Sequence, residues 1–219
     1  MTTPLVIWDF DGTLADTFVA IRIAVDRALA AHGLPPADEA TLRSSIGLSL
    51  PRVFERLVGA EVAADGRLVE GLVAAYRREF VQAGVEHAAL FPGVDELLAD
   101  LEEAGVPSAI ATSKGRMTIE LMLDRLGIAR RFACVVSDDD VRNPKPDPEM
   151  VVTACAACGR RPADAVVVGD TPFDIEMGRA AGAATIGVTW GNTPRAELAA
   201  ARPTHLVDEV AELRPLLPP

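Results

Sequence analysis

From its fifth residue onward the chain alternates two apolar patterns, and the alternation predicts the fold. Leu5-Val6-Ile7-Trp8 is a continuous apolar run of strand length. Beyond Phe91, helical stripes and short apolar runs take turns. The spacing predicts helices over 94–104, 116–126, 148–158 and 172–181. Each is closed by a glycine (Gly105, Gly127, Gly159, Gly182), the residue that best tolerates the left-handed backbone found just past helix ends. Between the helices lie predicted strands over 108–111, 132–136, 165–168 and 184–188. Strands alternating with helices imply parallel βαβ units, with a sheet covered on both faces. The expected class is therefore α/β, with a doubly wound parallel sheet.

Residues 16–83 break this rhythm. Phe18, Ile21, Val25 and Leu29 form one helical stripe, which Asp16 can cap and Gly33 can close. Pro35-Pro36 interrupts the chain, and further helical stretches are predicted around Leu42, over 53–58 and over 68–81. The segment is far longer than an ordinary βαβ crossover. It reads as an all-helical cap domain, residues 16–85, inserted into a core made of residues 1–15 and 86–219.

Composition narrows the partners. Of 219 residues, 49% are hydrophobic and the formal net charge is −11. A strongly acidic surface argues against nucleic acid and anionic membranes, which call for net or clustered positive charge. No apolar run reaches the length of a membrane-spanning helix. The N-terminus carries no basic region and reaches Asp9 too early for a secretion signal. Three cysteines without framework spacing suit a reducing cytoplasm. Cys155-Ala156-Ala157-Cys158 has the spacing of a redox or zinc pair, but it falls at the C-terminal end of a predicted helix. Thiolates are activated at N-termini, so neither role is expected.

In open α/β sheets ligands bind at the carboxyl ends of the strands, and each such end here carries polar chemistry. The first strand delivers Asp9 and Asp11. On a strand these would point the same way, roughly 6.5–7 Å apart at about 3.3 Å per residue. A strand running into an Asp-Gly turn is the plainer alternative. The second strand delivers Thr112, Ser113 and Lys114, of which Ser113 can equally cap the following helix. The third leads through Ser137-Asp138-Asp139-Asp140 to Asn143-Pro144-Lys145-Pro146-Asp147-Pro148. Its flanking prolines present Lys145 on a stiff loop, while Asp147 and Pro148 suit the start of a helix. Only Lys114 and Lys145 among the 21 basic residues (His apart) are lysines, and both stand at strand ends. The fourth strand delivers Gly169-Asp170, then Thr171-Pro172-Phe173-Asp174, where Asp174 serves either a metal or the helix cap. Asp9 and Asp170 would suffice as side-chain ligands for magnesium, which keeps several waters. Ser49 and Arg52, in the 47–52 loop, are further candidates for substrate contact.

These segments, in this order, resemble the motifs of the haloacid dehalogenase superfamily of phosphatases. Asp9-Phe10-Asp11-Gly12-Thr13 is similar to the first motif, Thr112 to the second, Lys145-Pro146 to the third and Gly169-Asp170 through Asp174 to the fourth. Ile46-Gly47, Gly187-Val188-Thr189-Trp190-Gly191 and Ala201-Arg202-Pro203 look most like phosphoglycolate-phosphatase-type members. The resemblance implies a Rossmann-like core and an Mg2+-dependent phosphatase acting on a small phosphorylated metabolite. It implies Asp9 as nucleophile and Asp11 as acid and base. Magnesium would be held by Asp9, the Asp11 backbone carbonyl, Asp170 and, in one reading, Asp174. Lys145 and Thr112 would bind the phosphoryl oxygens, helped by Ser113 and Lys114. A phosphomutase of the β-phosphoglucomutase type shares this core and is the alternative. A dehalogenase would not need Asp11, and phosphonate hydrolysis through a cap lysine is excluded because residues 16–85 contain none.

Overall fold

The computed structural model describes residues 4–64 and 66–217. The chain opens with β1 (Leu5–Trp8) and a short β2 (Ala15–Asp16). Helices α1 (Phe18–Ala31), α2 (Glu39–Arg43), α3 (Leu50–Val58), α4 (Ala60–Ala63) and α5 (Gly66–His87) follow. Next come β3 (Ala89–Leu90), α6 (Val94–Glu103), β4 (Ser108–Ala111), α7 (Arg116–Arg125) and β5 (Cys134–Val136). The chain continues through α8 (Glu149–Ala157), β6 (Ala165–Gly169), α9 (Pro172–Ala181), β7 (Ala184–Val188), α10 (Arg195–Ala200) and β8 (His205–Val207).

The main sheet has six parallel strands in the order β5-β4-β1-β6-β7-β8. From β1 the chain builds outward through β4 to the β5 edge, then returns to β6 on the other side of β1. Chain order thus reverses around β1, which is where a doubly wound sheet opens a crevice at its carboxyl end. All four residues of β1 are buried. Leu5 and Ile7 pack with α8 residues Met150, Val151 and Ala154 on one face. Val6 and Trp8 join the larger core on the other, as the two-residue period of a strand requires.

The sixth strand, β8, was not expected from the sequence. Three residues are too few to show an alternation, and tertiary bonds define the strand instead. Thr185 and Thr204 exchange backbone-to-hydroxyl hydrogen bonds of 3.1 Å, and Thr189 N donates to the Val207 carbonyl. At the β5 edge the expected strand over 132–136 is shorter: a 3-10 turn at Ala129–Arg131 precedes it, and pairing begins only at Cys134.

The helical segment enters and leaves through a two-stranded antiparallel ladder, Ala15 opposite Leu90 and Asp16 opposite Ala89. α5 runs well past the predicted 68–81, because its inner face continues to bury residues down to Ala83 and its helical bonds persist to His87. Tyr76 stacks on Phe80 at 5.5 Å and meets Phe54 edge-on at 6.2 Å, joining α5 to α3. Thr17, rather than Asp16, is the N-cap residue of α1, and its hydroxyl serves another partner.

Candidate active site

Trp8 is paired with Ile110 of β4 on one side and Val168 of β6 on the other. Asp9 follows Trp8 directly, while Thr112 and Asp170 stand two residues beyond Ile110 and Val168, so the three gather at the carboxyl ends of neighbouring strands. Asp9 N donates to the Val168 carbonyl and Thr112 N to the Val136 carbonyl, so the strand ladder fixes both backbones. Asp9, Asp170 and Asp174 each place a carboxylate oxygen within 4.8 Å of the others, and all three are buried.

Lys145 compensates this charge. It is wholly buried, with Nζ 2.6 Å from Asp9 Oδ1 and 2.7 Å from Asp174 Oδ1. Burial works against its charge, but Asp174 and Asp9 outweigh that and hold its pKa above the ordinary lysine value. One ammonium does not serve three carboxylates. Burial, with Asp174 and Asp11 adding to it against the pull of Lys145, pushes Asp9 up to about 7. Burial also raises Asp170 well above the carboxylate range, with Asp9 and Asp174 adding to it.

Glycines make room for Asp170. A Cβ on Gly12 would come within 2.3 Å of Asp170 Oδ2, and one on Gly191 within 2.2 Å; Gly12 also has φ of +86°. Asp170 Oδ2 accepts from Asn192 N at 2.7 Å and from Asn192 Nδ2 at 3.2 Å, while Oδ1 accepts from Thr13 at 3.2 Å. Three hard oxygen donors in a cradle of missing Cβ atoms fit a magnesium ion, which takes carboxylates and keeps its waters.

Of the two roles that the sequence left open for Asp174, the structure shows the helix cap. Its Oδ2 accepts from Thr171 N and Oγ1, closing a capping box at the start of α9, while Oδ1 faces Lys145. Asp11 stands apart from the acidic trio. Both its oxygens accept from Lys114 Nζ at 2.7 Å, and Thr17 Oγ1 donates to Oδ1 at 2.5 Å. Lys114 Nζ also lies 4.2 Å from the centre of the Phe80 ring of α5.

Several expected contacts fall elsewhere. Ser113 does not cap α7, whose N-cap is Gly115; its hydroxyl donates to the Gly47 carbonyl at 2.6 Å, tying the helical segment to the core. Asp139 takes the capping role, accepting from Arg116 N at 2.8 Å. Asp147 accepts from Glu149 N at 2.9 Å at the start of α8. Ser49 and Arg52, expected to touch substrate, do not line the cavity beside Asp9. The helical period of α3 turns Val53 inward and leaves Arg52 exposed. Lys145 does not line that cavity either; it supports Asp9 from behind. Asp9, Asp11, Thr112, Ser113 and Lys114 do line it. Thr13, Thr17, Tyr76 and Asn192 were not singled out from sequence. Thr13 carried a signal as the last residue of the first motif, and Asn192 through its place directly after Gly191.

Cys158 lies 3.6 Å from Cys134 rather than facing Cys155, and burial pushes the Cys134 thiol up to about 12.

The haloacid dehalogenase-like hydrolase family matches residues 6–188. "Probable phosphatase IndB" of Dickeya dadantii is 38% identical over 96% of this chain and 91% of its own. An N-acetylmuramic acid 6-phosphate phosphatase of Pseudomonas aeruginosa is 37% identical over 87% of this chain and 84% of its own. A crystal structure titled "predicted phosphoglycolate phosphatase", from Haemophilus somnus 129PT, superposes with a TM-score of 0.88 at 25% identity, covering 99% of both chains. Sheet order, motif geometry and these likenesses agree: the chain belongs to the haloacid dehalogenase-like hydrolases and is a phosphoric monoester hydrolase of that family.

Proposed function

We propose that the protein is an Mg2+-dependent phosphatase that hydrolyses a small phosphorylated metabolite through an aspartyl-phosphate on Asp9. The observation that carries this reading is Asp9 itself. It is a buried carboxylate at a strand tip, held by a buried ammonium 2.6 Å away, within reach of two further carboxylates, and open to a cavity shared with Asp11.

Asp9 attacks phosphorus in line, and the ester oxygen leaves as it takes a proton from Asp11. Asp11 then accepts a proton from the water that cleaves the aspartyl-phosphate. In the observed state Asp11 is held by Lys114 and Thr17, so it must turn from Lys114 to reach the leaving oxygen. Thr112 and the backbone amides at the start of α7 bind the phosphoryl oxygens. Lys145 fixes the orientation of Asp9 and offsets its charge toward the incoming phosphate. Asp9 and Asp170, with Asp174 behind them, would hold magnesium. When bound, the ion supplies charge neutralisation between the carboxylate and the phosphate dianion. Residues 16–85 act as a cap that excludes water while the phosphoryl group moves, with the Ser113–Gly47 hydrogen bond as one closing contact.

Release of p-nitrophenol and free phosphate from p-nitrophenyl phosphate tests the reading. Turnover should require magnesium and be abolished in Asp9→Asn, and hydroxylamine should trap phosphorylated Asp9 in the wild type. Metal-independent hydrolysis, or full activity in Asp9→Asn, would refute it. Transfer to a second substrate hydroxyl instead of release would identify a mutase.

A further inference from the structure

The cavity beside Asp9 has two unlike halves. Its floor is polar, formed by Asp9, Asp11, Thr112, Ser113 and Lys114 at the strand tips. Its roof, contributed by the helical segment, is almost wholly hydrocarbon. Ile21 and Val25 come from α1, Leu42 from α2, Ile46 and Leu48 from the following loop, and Val53 from α3. All six are buried. The floor is where a phosphoryl group must sit to meet Asp9, so the roof faces the alcohol half of the ester.

Few polar groups on the roof could hydrogen-bond a substrate. Tyr76 is one: it is buried there, and burial raises its phenol pKa well above the usual value, with Asp11 adding to it, so it offers a single protonated hydroxyl. Arg77 reaches the rim, but its side chain is half exposed and leans toward Asp139 at 3.5 Å. The Ser113 hydroxyl is already given to the Gly47 carbonyl. The free volume is about 50 Å³. At about 10–15 Å³ for each water-sized group, that is room for about three to five of them, so the alcohol half is short.

We propose that the alcohol half of the substrate is compact and mostly hydrocarbon, seated against Ile21, Val25, Leu42, Ile46, Leu48 and Val53, and that the enzyme thereby selects against polyhydroxylated esters. The proposal rests on the phosphatase reading above and adds the class of leaving group. Its basis is desolvation. A hydroxyl carried against a hydrocarbon wall loses its water and gains no partner, a penalty of roughly fivefold to 150-fold in relative rate. Each methylene that the wall accepts gains about tenfold or more. The direction opposes intrinsic reactivity, since a polyol oxygen is the better leaving group.

The test compares kcat/KM for ethyl, propyl and butyl phosphate with that for erythritol 4-phosphate, which has the carbon count of butyl phosphate and three more hydroxyls. Butyl phosphate should exceed erythritol 4-phosphate by tenfold or more, and the alkyl series should rise with each carbon. Val53→Thr, a near-isosteric change that puts one hydroxyl on the wall, should narrow the butyl-to-erythritol ratio at least threefold. The same preparation is assayed with p-nitrophenyl phosphate. Hydrolysis of that ester with equal or better use of erythritol 4-phosphate overturns the hydrocarbon-pocket proposal alone. No hydrolysis of any ester overturns the phosphatase reading with it.

Discussion

Replacing Lys145 by methionine removes the ammonium but keeps a side chain of similar length. Lys145 is wholly buried and bonded at 2.6 and 2.7 Å to Asp9 and Asp174. Its loss leaves Asp9, Asp170 and Asp174 within 4.8 Å of one another with no cation paired to them among the described residues. Breaking a buried ion pair from one side costs about 3–5 kcal/mol, most of it the stranded charge rather than the lost attraction. A chain of this size shifts Tm by about 2–4 °C per kcal/mol, so a fall of roughly 6–20 °C is expected in metal-free buffer. If stranded charge is the cause, adding Asp174→Asn should recover part of the loss, although Asp174 also caps α9. A coupling of at least about 1 kcal/mol in the double-mutant cycle is expected for groups in contact. The assay is thermal unfolding of the wild type, both single variants and the double variant. A Tm drop in Lys145→Met below 2 °C, or strict additivity of the two substitutions, would refute this account of the buried cluster.

Metal and pH should act on the same carboxylates. Asp9 is raised from an ordinary 3.8 to about 7, so the folded protein holds the proton more tightly than the unfolded chain. Its contribution therefore favours the fold at low pH and is lost as pH rises from about 4 to about 7. Magnesium must displace that proton, so a fixed Mg2+ concentration should raise Tm more at pH 7.5 than at pH 5.5; where the ion stands at 100 times its Kd it adds about 2.7 kcal/mol of stability, and equal Tm shifts at both pH values would contradict the assignment. Gly12→Ala puts a methyl within 2.3 Å of Asp170 at a φ of +86°, and should weaken magnesium binding by calorimetry at least tenfold; unchanged affinity would show that the cradle is not needed. Asp11→Asn should lower kcat/KM on p-nitrophenyl phosphate by about 10²–10⁴, the usual scale of general acid–base catalysis, in a protein that still folds; a loss under tenfold would remove Asp11 from that role.

The local signals in this chain were strong where chemistry and backbone geometry coincide. Apolar runs of strand length, glycines at helix ends and carboxylates at strand tips all report nearest-neighbour physics. The central strands, the helices between them and the helical insertion were therefore legible in order, as was the convergence of Asp9, Asp170, Asp174 and Lys145. The strand β8 was not, because cross-strand threonine bonds rather than its own three residues define it.

Orientation and pairing belong to the tertiary structure. Composition and a place at strand ends mark Lys145 and Lys114 as unusual, but only packing decides that the first braces Asp9 from behind while the second clasps Asp11. Arg52 and Val53 are neighbours in the chain, yet the register of α3 exposes one and lines the cavity with the other. Thr17 and Asn192 lie far from each other in sequence and gain their partners only when the sheet and the helical segment close around β1. A sequence lists which groups are present; long-range contacts set their separations, and charge interactions in a buried site depend on separation above all.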